Sequence, residues 1–439
     1  MADPRRDIYG QTFACECGRT HAVQPDEVVY APDAIERLPE ICPRYAGGRR
    51  CAVLMDVRTR AAAGLEAAER LEEAGWDARQ IVLQDAPDGS EPVCDDVTKL
   101  SLAGRLGEVD LVVPVGSGVI SDLGKWLAFE ADVPLVTFAT AASMNGYASA
   151  NVAPAIDGVK MLLRARPPLA VLSAPEVLAD APYEMTAAGL GDALAKSVSS
   201  ADWRLNHLLF GDYYCSRSVG LIADVEPMYL ERPEALRARD ESALAGLFQA
   251  LLLTGVAMTL AETSAPASGG EHLISHSLDM MSSLDGRPHD LHGRQVGVGT
   301  ILTAELYRRA LAIESPELRD PPAGVDQRFW GRLTGSVAAK YHEKAPRLRA
   351  AKRKLAGGTA WDALRAELSP MLRPPEQVRD CLAAAGGACR AEDIRADRRR
   401  LHQAFLHAHE IRPRFTVLDL ANLLGLMPAA ADEAVATWA

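Results

Sequence analysis

The sequence predicts an α/β nucleotide-binding domain with a parallel sheet over residues 1–180, followed by an all-α domain over 181–439. Two observations predict it. Through the first part, short apolar runs alternate with helical patterns, which marks βαβ units. From about Pro182 onward long helical patterns take over. A chain of 439 residues also exceeds what a single hydrophobic core usually serves.

The elements follow in order. CAVLMDV (51–57) reads as a strand and RTRAAAGLEAAERLEEAG (58–75) as a helix. QIVLQD (80–85) is the next strand and VTKLSLAGRL (97–106) the next helix. DLVVPVGSG (110–118) runs from a strand into a glycine turn, with a helix opening around Ser121 and Asp122. VPLVTFAT (133–140) is a strand ending in the small-residue stretch AASMNGYASA (141–150). APAIDGVKMLL (153–163) reads as a hairpin, because Asp-Gly separates two apolar arms. LAVLSA (169–174) closes the set of strands. ESALAGLFQALLLTGVAMTLAE (241–262) is apolar nearly all round, the pattern of a buried core helix. The breaker-rich SAPASGG (264–270) interrupts it, and EHLISHSLDMM (271–281) is helical again. Further helices fit 293–312, 324–342 and 396–411, and the Ala/Arg-rich stretch 345–400 reads as peripheral.

Composition excludes several classes. Lys and Arg number 47 against 59 Asp and Glu, a net charge of −12, so neither nucleic acid nor an anionic membrane would be attracted. Hydrophobic residues at 48% and charged residues at 24% suit a soluble globular protein. No uninterrupted apolar run long enough to indicate a membrane span appears, and MADPRRDIYG lacks the apolar core of a signal peptide. A cytoplasmic protein acting on a small molecule is expected, with a homo-oligomer as its assembly. The cysteines, at 15, 17, 42, 51, 94, 215, 381 and 389, form no disulfide framework and should be reduced. Cys15, Cys17 and His21 make a C-x-C-x3-H cluster that could bind a metal, although the sequence shows no fourth ligand and C-x-C constrains a site less well than C-x2-C.

Gly116-Ser117-Gly118 follows a buried strand and opens a helix with Asp122 on its first turn. Glycine there admits a pyrophosphate to the backbone, and the helix N-terminus offers N–H groups to it, although many such turns hold glycine for tightness alone. Asp56, closing the first strand, is a candidate for a ribose hydroxyl, while Arg58 and Arg60 could receive a 2′-phosphate, so NAD and NADP both stay open. Three later segments carry donors for a cation. GLGDALAK holds Asp192 and Lys196 at i, i+4; GGEHLISH holds His272 and His276 on one helix face; RPHDLHGRQVGVG holds His292 at the mouth of a helix. A divalent ion such as zinc accepts two imidazoles and a carboxylate and keeps positions open. A lone histidine is more often a satisfied polar residue, and spacing alone leaves both readings standing.

The stretches VGSGVISDLGKW, FATAASMNGYASA, APYEMTAAGLGDALAKSVSSADW, PASGGEHLISHSLDM, LHGRQVGVG and FLHAHEIRPRFTVLDL carry a resemblance. With them the chain resembles the sn-glycerol-1-phosphate dehydrogenases, in the superfamily of glycerol dehydrogenase, iron-containing alcohol dehydrogenases and dehydroquinate synthase, over about residues 25–425. The resemblance implies a Rossmann-like N-terminal domain and a helical, metal-binding C-terminal domain of the dehydroquinate synthase-like kind. It implies that Gly118, Val119, Ile120, Ser121 and Asp122 bind NAD or NADP, joined by Thr140, Ala141, Ala142, Ser143 and Ser149. Asp192, His272 and His292 would ligate one divalent ion, zinc or else nickel or iron, and Asp192 and His276 would contact substrate. The implied reaction is reduction of dihydroxyacetone phosphate to sn-glycerol 1-phosphate, with His276 as candidate proton donor and Lys196 as candidate phosphate partner. One residue departs: where the family pattern reads Ser-x-Asp-Gly with a substrate-contacting Asp, SMNG places Asn145. Asn keeps an acceptor oxygen but loses the charge and gains a donor. Another small polyol, phosphorylated or phosphonate hydroxy compound is therefore the alternative substrate. A cyclase like dehydroquinate synthase is disfavoured by GLGDALAK.

Overall fold

The computed structural model describes residues 8–223 and 225–439. Residues 1–7, part of the stretch without a signal-like apolar core, lie outside the described residues. The chain divides into two compact units, Met1–Gly189 with Gly220–Thr263, and Leu190–Val219 with Ser264–Ala439. The helices that position functional groups are α1 (Gly118–Glu130), α2 (Tyr183–Leu194), α3 (Lys196–Phe210), α4 (Glu241–Ala261), α5 (Gly270–Asp285), α6 (His292–Ala312) and α7 (Pro375–Ala384).

The first unit opens with a hairpin of β1 (Thr12–Ala14) and β2 (Thr20–Ala22), followed by β3 (Glu27–Tyr30), β4 (Arg50–Asp56), β5 (Asp77–Leu83), β6 (Leu111–Gly116), β7 (Val136–Ala139) and β8 (Ala170–Ser173). The last six form one parallel sheet in the order β3-β8-β7-β6-β4-β5. Both faces are covered. Val53 and Met55 of β4 point into a core with Leu38, Leu71, Val113 and Phe138, while Ala52 and Leu54 point into another with Ile81, Leu102, Ile120 and Leu123. That is why the strand reads as an unbroken apolar run rather than an alternation. Edge strand β3 has only four residues and no such run, so the sequence pattern does not single it out. The chain steps from β4 outward to β5 and returns on the other side to β6. Asp56 and the glycine turn therefore end neighbouring strands at the switch point of the sheet, where doubly wound folds take their ligands.

Helix α1 starts at Gly118, earlier than Ser121, because the turn after β6 is a single residue. The expected hairpin is present as Ala155–Ile156 against Val159–Lys160, with Asp157 and Gly158 at φ 50° and 78° as a tight primed turn requires. Helix α4 packs with the first unit, so this division is not a single cut after residue 180. The physical reason is close backbone approach: a Cβ on Gly255 would lie 2.7 Å from the Asn145 carbonyl oxygen and 3.1 Å from Ala148. Thr259 Oγ1 donates to the Ala148 carbonyl at 3.0 Å, and Phe248 packs its ring on Tyr30 and Tyr147. By length and composition α4 could cross a membrane, yet 83% of its apolar window is buried inside the protein, as a core helix requires.

The described residues of the second unit form helices joined by loops, with no strand among them. The predicted helix 293–312 is α6 with one residue more, and 396–411 is Arg398–His407 followed by one 3-10 turn. The predicted helix 324–342 is instead a short turn at Gln327–Trp330 and a long helix at Thr334–Leu355. The stretch 345–400 is not merely peripheral. Trp361, Leu364 and Leu368 are buried, and Leu382 of α7 packs on Gly297 of α6.

Candidate metal centre

Glycines bring the three donor segments together. A Cβ on Gly191 would sit 2.1 Å from the Gly293 carbonyl oxygen, so the end of α2 lies backbone to backbone on the start of α6. A Cβ on Gly299 would sit 2.6 Å from the Glu271 carbonyl oxygen, and this seats α6 on α5. The residues beside these contacts are Asp192, His292 and His272. Their ligand atoms all lie within 4.8 Å of one another. His272 Nε2 is 3.3 Å from Asp192 Oδ1. With bonds of about 2.0–2.1 Å, a tetrahedral ion separates two such donors by about 3.3 Å, so the pair already stands at coordination spacing.

Each histidine is aimed by a further group. His272 Nδ1 lies 2.8 Å from Glu271 Oε1, which also accepts the Gly269 N–H at 2.7 Å. His292 Nδ1 lies 3.0 Å from Ser275 Oγ. With the Gln295 amide nitrogen facing Ser275 Oγ (2.8 Å) and Asp279 Oδ1 (3.1 Å), that chain is satisfied from Asp279 to His292. In both rings Nδ1 is occupied away from the centre, and Nε2 is left to face it, the usual support of metal-binding histidines. Burial pushes the His272 imidazole down, but the Asp192 and Glu271 carboxylates at its two nitrogens outweigh this and its pKa rises to about 9. A proton thus stands where a cation would stand, and a cation would enter by displacing it.

The entry of α5 is buried and acidic. Asp202 Oδ2 accepts the Gly270 N–H at 2.7 Å, and Oδ1 accepts Val417 N–H at 2.8 Å and the Tyr307 hydroxyl at 2.5 Å. Burial and the nearby Glu271 carboxylate push Asp202 up to about 8. His276 is not one of the clustered donors. Its ring stacks on His292 at 5.5 Å with 14° between planes, and lies 6.0 Å from His272. Lys196 is buried and opens α3, one residue after the end of the helix of Asp192, with Ala195 between them at right-handed helical angles.

In the first unit Gly116 is required by the turn itself, since a Cβ there would meet Ile120 Cβ at 2.5 Å. Gly118 has open space, with its nearest neighbour Met144 Cγ 3.8 Å from a would-be Cβ. Ile120 is core, Val119 packs partly against the same core, and Ser121 Oγ is buried with no protein partner on the first turn of α1. Asp122 is held at both oxygens, by Lys125 Nζ at 2.9 Å and the Ala153 N–H at 3.0 Å. Lys125 also donates to Ser149 Oγ and to the carbonyls of Gly146 and Asn151. Thr140 N donates to the Gly116 carbonyl, and the Tyr147 hydroxyl ties Ala141 O and the Ser143 side chain. Ala142 O abuts Gly189, where a Cβ would come within 1.9 Å, and Asn145 is buried in the same loop. Asp56 caps the following helix through Arg58 N and Thr59 N, and Arg58 is held by Asp85 at 2.8 and 3.0 Å. Any phosphate taken by Arg58 would have to compete with that pair. Sequence reasoning missed Glu271, Ser275, Gln295, Asp202 and Lys125. The acidic residue directly before His272 and the Asp-x2-Lys spacing on α1 were usable signals for two of them, and nothing in the sequence marks Ser275 or Gln295.

Residues 29–182 match the family model described as iron-containing alcohol dehydrogenase. A glycerol-1-phosphate dehydrogenase (NAD(P)+) from Geobacillus stearothermophilus is 30% identical over 428 residues, covering 97% of this chain and 99% of that one. The chain belongs to the glycerol-1-phosphate dehydrogenase family. A member from Thermococcus sibiricus is 33% identical over 283 residues, 64% of this chain and 78% of that one. Among solved structures, a probable glycerol dehydrogenase from Sinorhizobium meliloti matches with TM-score 0.58 at 17% identity, over 93% of this chain and 98% of that chain. An NADH-dependent butanol dehydrogenase from Thermotoga maritima matches with TM-score 0.59 at 15% identity, over 92% and 96%. Those two likenesses establish the fold, a parallel-sheet domain with a helical C-terminal domain.

Proposed function

We propose that this chain reduces dihydroxyacetone phosphate to sn-glycerol 1-phosphate with NADH or NADPH, reversibly, using one divalent cation held by Asp192, His272 and His292. The observation that carries the reading is the convergence of these three donors from three helices, with Glu271 and Ser275 aiming the imidazoles. Kinship with glycerol-1-phosphate dehydrogenases supplies the substrate. The cation, zinc by donor chemistry with nickel or iron as the other candidates, supplies Lewis-acid polarisation of a carbonyl.

The chain's own groups do the rest. Asp192 presents a buried negative charge that fixes the cation and repels a second anion from the same spot. His276, stacked against His292, is the proposed proton donor to the developing alkoxide, directly or through water. Lys196, a buried amine, is the proposed counter-charge for substrate phosphate. The turn at Gly116–Asp122 is the proposed dinucleotide site, where the free space at Gly118 and the buried Ser121 hydroxyl suit a pyrophosphate.

One observation favours a second reading, a different small polyol, phosphorylated or phosphonate substrate: Asn145 stands where the family pattern has a carboxylate. A panel of substrates with both reduced cofactors decides between them. Rapid chelator-sensitive oxidation of NADH or NADPH by dihydroxyacetone phosphate is expected. Near-inertness of the natural chain, together with a large gain in Asn145→Asp, would assign it to another substrate. Robust turnover after complete metal removal would overturn the mechanism.

A further inference from the structure

The N-terminal hairpin carries a further set of donors, two thiols and an imidazole, that the proposed reaction does not use. Strands β1 and β2 pair over three residues, Thr12↔Ala22, Phe13↔His21 and Ala14↔Thr20. Between them the chain reverses through Cys15-Glu16-Cys17-Gly18, closed by Gly18 N–H to the Cys15 carbonyl at 2.9 Å and by Cys15 N–H to the Arg19 carbonyl at 2.9 Å. Gly18 sits at φ +85°, a conformation that favours glycine, and this lets the chain reverse within so tight a turn. Neither cysteine is in a disulfide. Cys17 Sγ lies 3.2 Å from His21 Nε2, and the donor atoms of Cys15, Cys17 and His21 lie within 4.8 Å of one another.

We propose that Cys15, Cys17 and His21 bind a soft divalent cation of the zinc class as a structural clip, independent of the cation at Asp192. A tetrahedral zinc with bonds of about 2.3 Å to sulfur and about 2.0–2.1 Å to nitrogen separates a sulfur from a nitrogen donor by about 3.5 Å, a few tenths of an ångström from the 3.2 Å between Cys17 Sγ and His21 Nε2. Two thiolates and an imidazole select zinc-class ions over calcium or magnesium, and the fourth position is left to water or a further donor. The mechanical reason is plain. A three-residue hairpin whose strands are mostly exposed has too little apolar area to hold itself in water. His21 is nevertheless 3% exposed, packed by the Phe13 ring at 5.6 Å, which places its imidazole against the turn. The exposed Arg19–Glu262 ion pair adds little. A cation joining the turn to β2 would supply the missing cross-link and hold the segment that leads into edge strand β3.

The two sites differ in donors, and that separates them experimentally. The Asp192 centre contains no sulfur, so absorption from thiolate-to-cobalt charge transfer reports on the hairpin alone. Full-length protein loaded with Co²⁺ should show that absorption, and zinc-loaded protein should hold two equivalents of metal per chain. His272→Ala should lose one equivalent and keep the charge-transfer absorption. Cys15→Ser and Cys17→Ser should each lose the absorption and the other equivalent while dihydroxyacetone phosphate reduction persists. Absence of the absorption in the cobalt-loaded natural chain, or its survival in Cys17→Ser, overturns the proposal. Should the serine variants fail to fold, the reading from the natural chain and His272→Ala alone still decides.

Discussion

The two candidate metal sites are built in opposite ways. At the hairpin, Cys15, Cys17 and His21 come from one tight turn and the strand that leaves it, and two backbone hydrogen bonds make the arrangement. At the other centre, Asp192, His272 and His292 come from the end of one helix, the first turn of a second and the first residue of a third. There the geometry belongs to helix packing, to the glycines at 191 and 299, and to buried groups such as Glu271 and Ser275. A local cluster needs little from the fold and gives it support. A dispersed cluster needs the whole helical unit, and in return can keep donors buried with open positions for a substrate.

The comparison is broken most sharply at His272. His272→Ala should remove the cation of the dispersed centre and lower kcat/KM by on the order of 10³-fold or more, since a Lewis acid supplies several kcal/mol. Metal analysis and steady-state kinetics check this, and stoichiometric metal at that centre with retained activity would refute the ligand assignment. Gly191→Ala tests packing without touching a donor. Its methyl would press on the Gly293 carbonyl, cost about 1–3 kcal/mol, and displace Asp192 from His292. A fall in activity of about 10²-fold with a lower Tm is expected. If both stay at natural values, glycine contact does not set the site.

Glu271→Gln keeps the volume and removes the charge that aims His272. Metal affinity should fall by about 10–100-fold, read by competition with a chelator, with kcat largely recovered at saturating metal. An unchanged affinity would show that Asp192 alone holds the ring in place. The smallest effect is expected at the hairpin. Cys15→Ser should leave turnover within about twofold and make the N-terminal segment more readily cut by protease, because the local element has lost its clip while the helical unit has not. Loss of activity equal to that of His272→Ala would mean the two sites are not independent.

Much of the fold was legible because its signals are local. Parallel strands buried on both faces must be apolar throughout, so CAVLMDV and DLVVPVGSG announce themselves, and Asp-Gly at 157–158 announces its hairpin. The short edge strand Glu27–Tyr30 was not legible, because among the described strands it pairs only with the distant β8. The same division runs through the sites. The sequence by itself determined which donor types exist, the tight turn at Gly116, the cysteine-histidine spacing of the hairpin, and the departure at Asn145. Only the tertiary structure decided that α4 packs with the sheet unit and that Lys125 holds Asp122. It alone placed His276 against His292 instead of among the clustered donors. The reason is physical: a turn or a strand face is set by neighbours along the chain, whereas a meeting of helices is set by where a side chain is missing, and a glycine inside a helix does not say which backbone will come to lie against it.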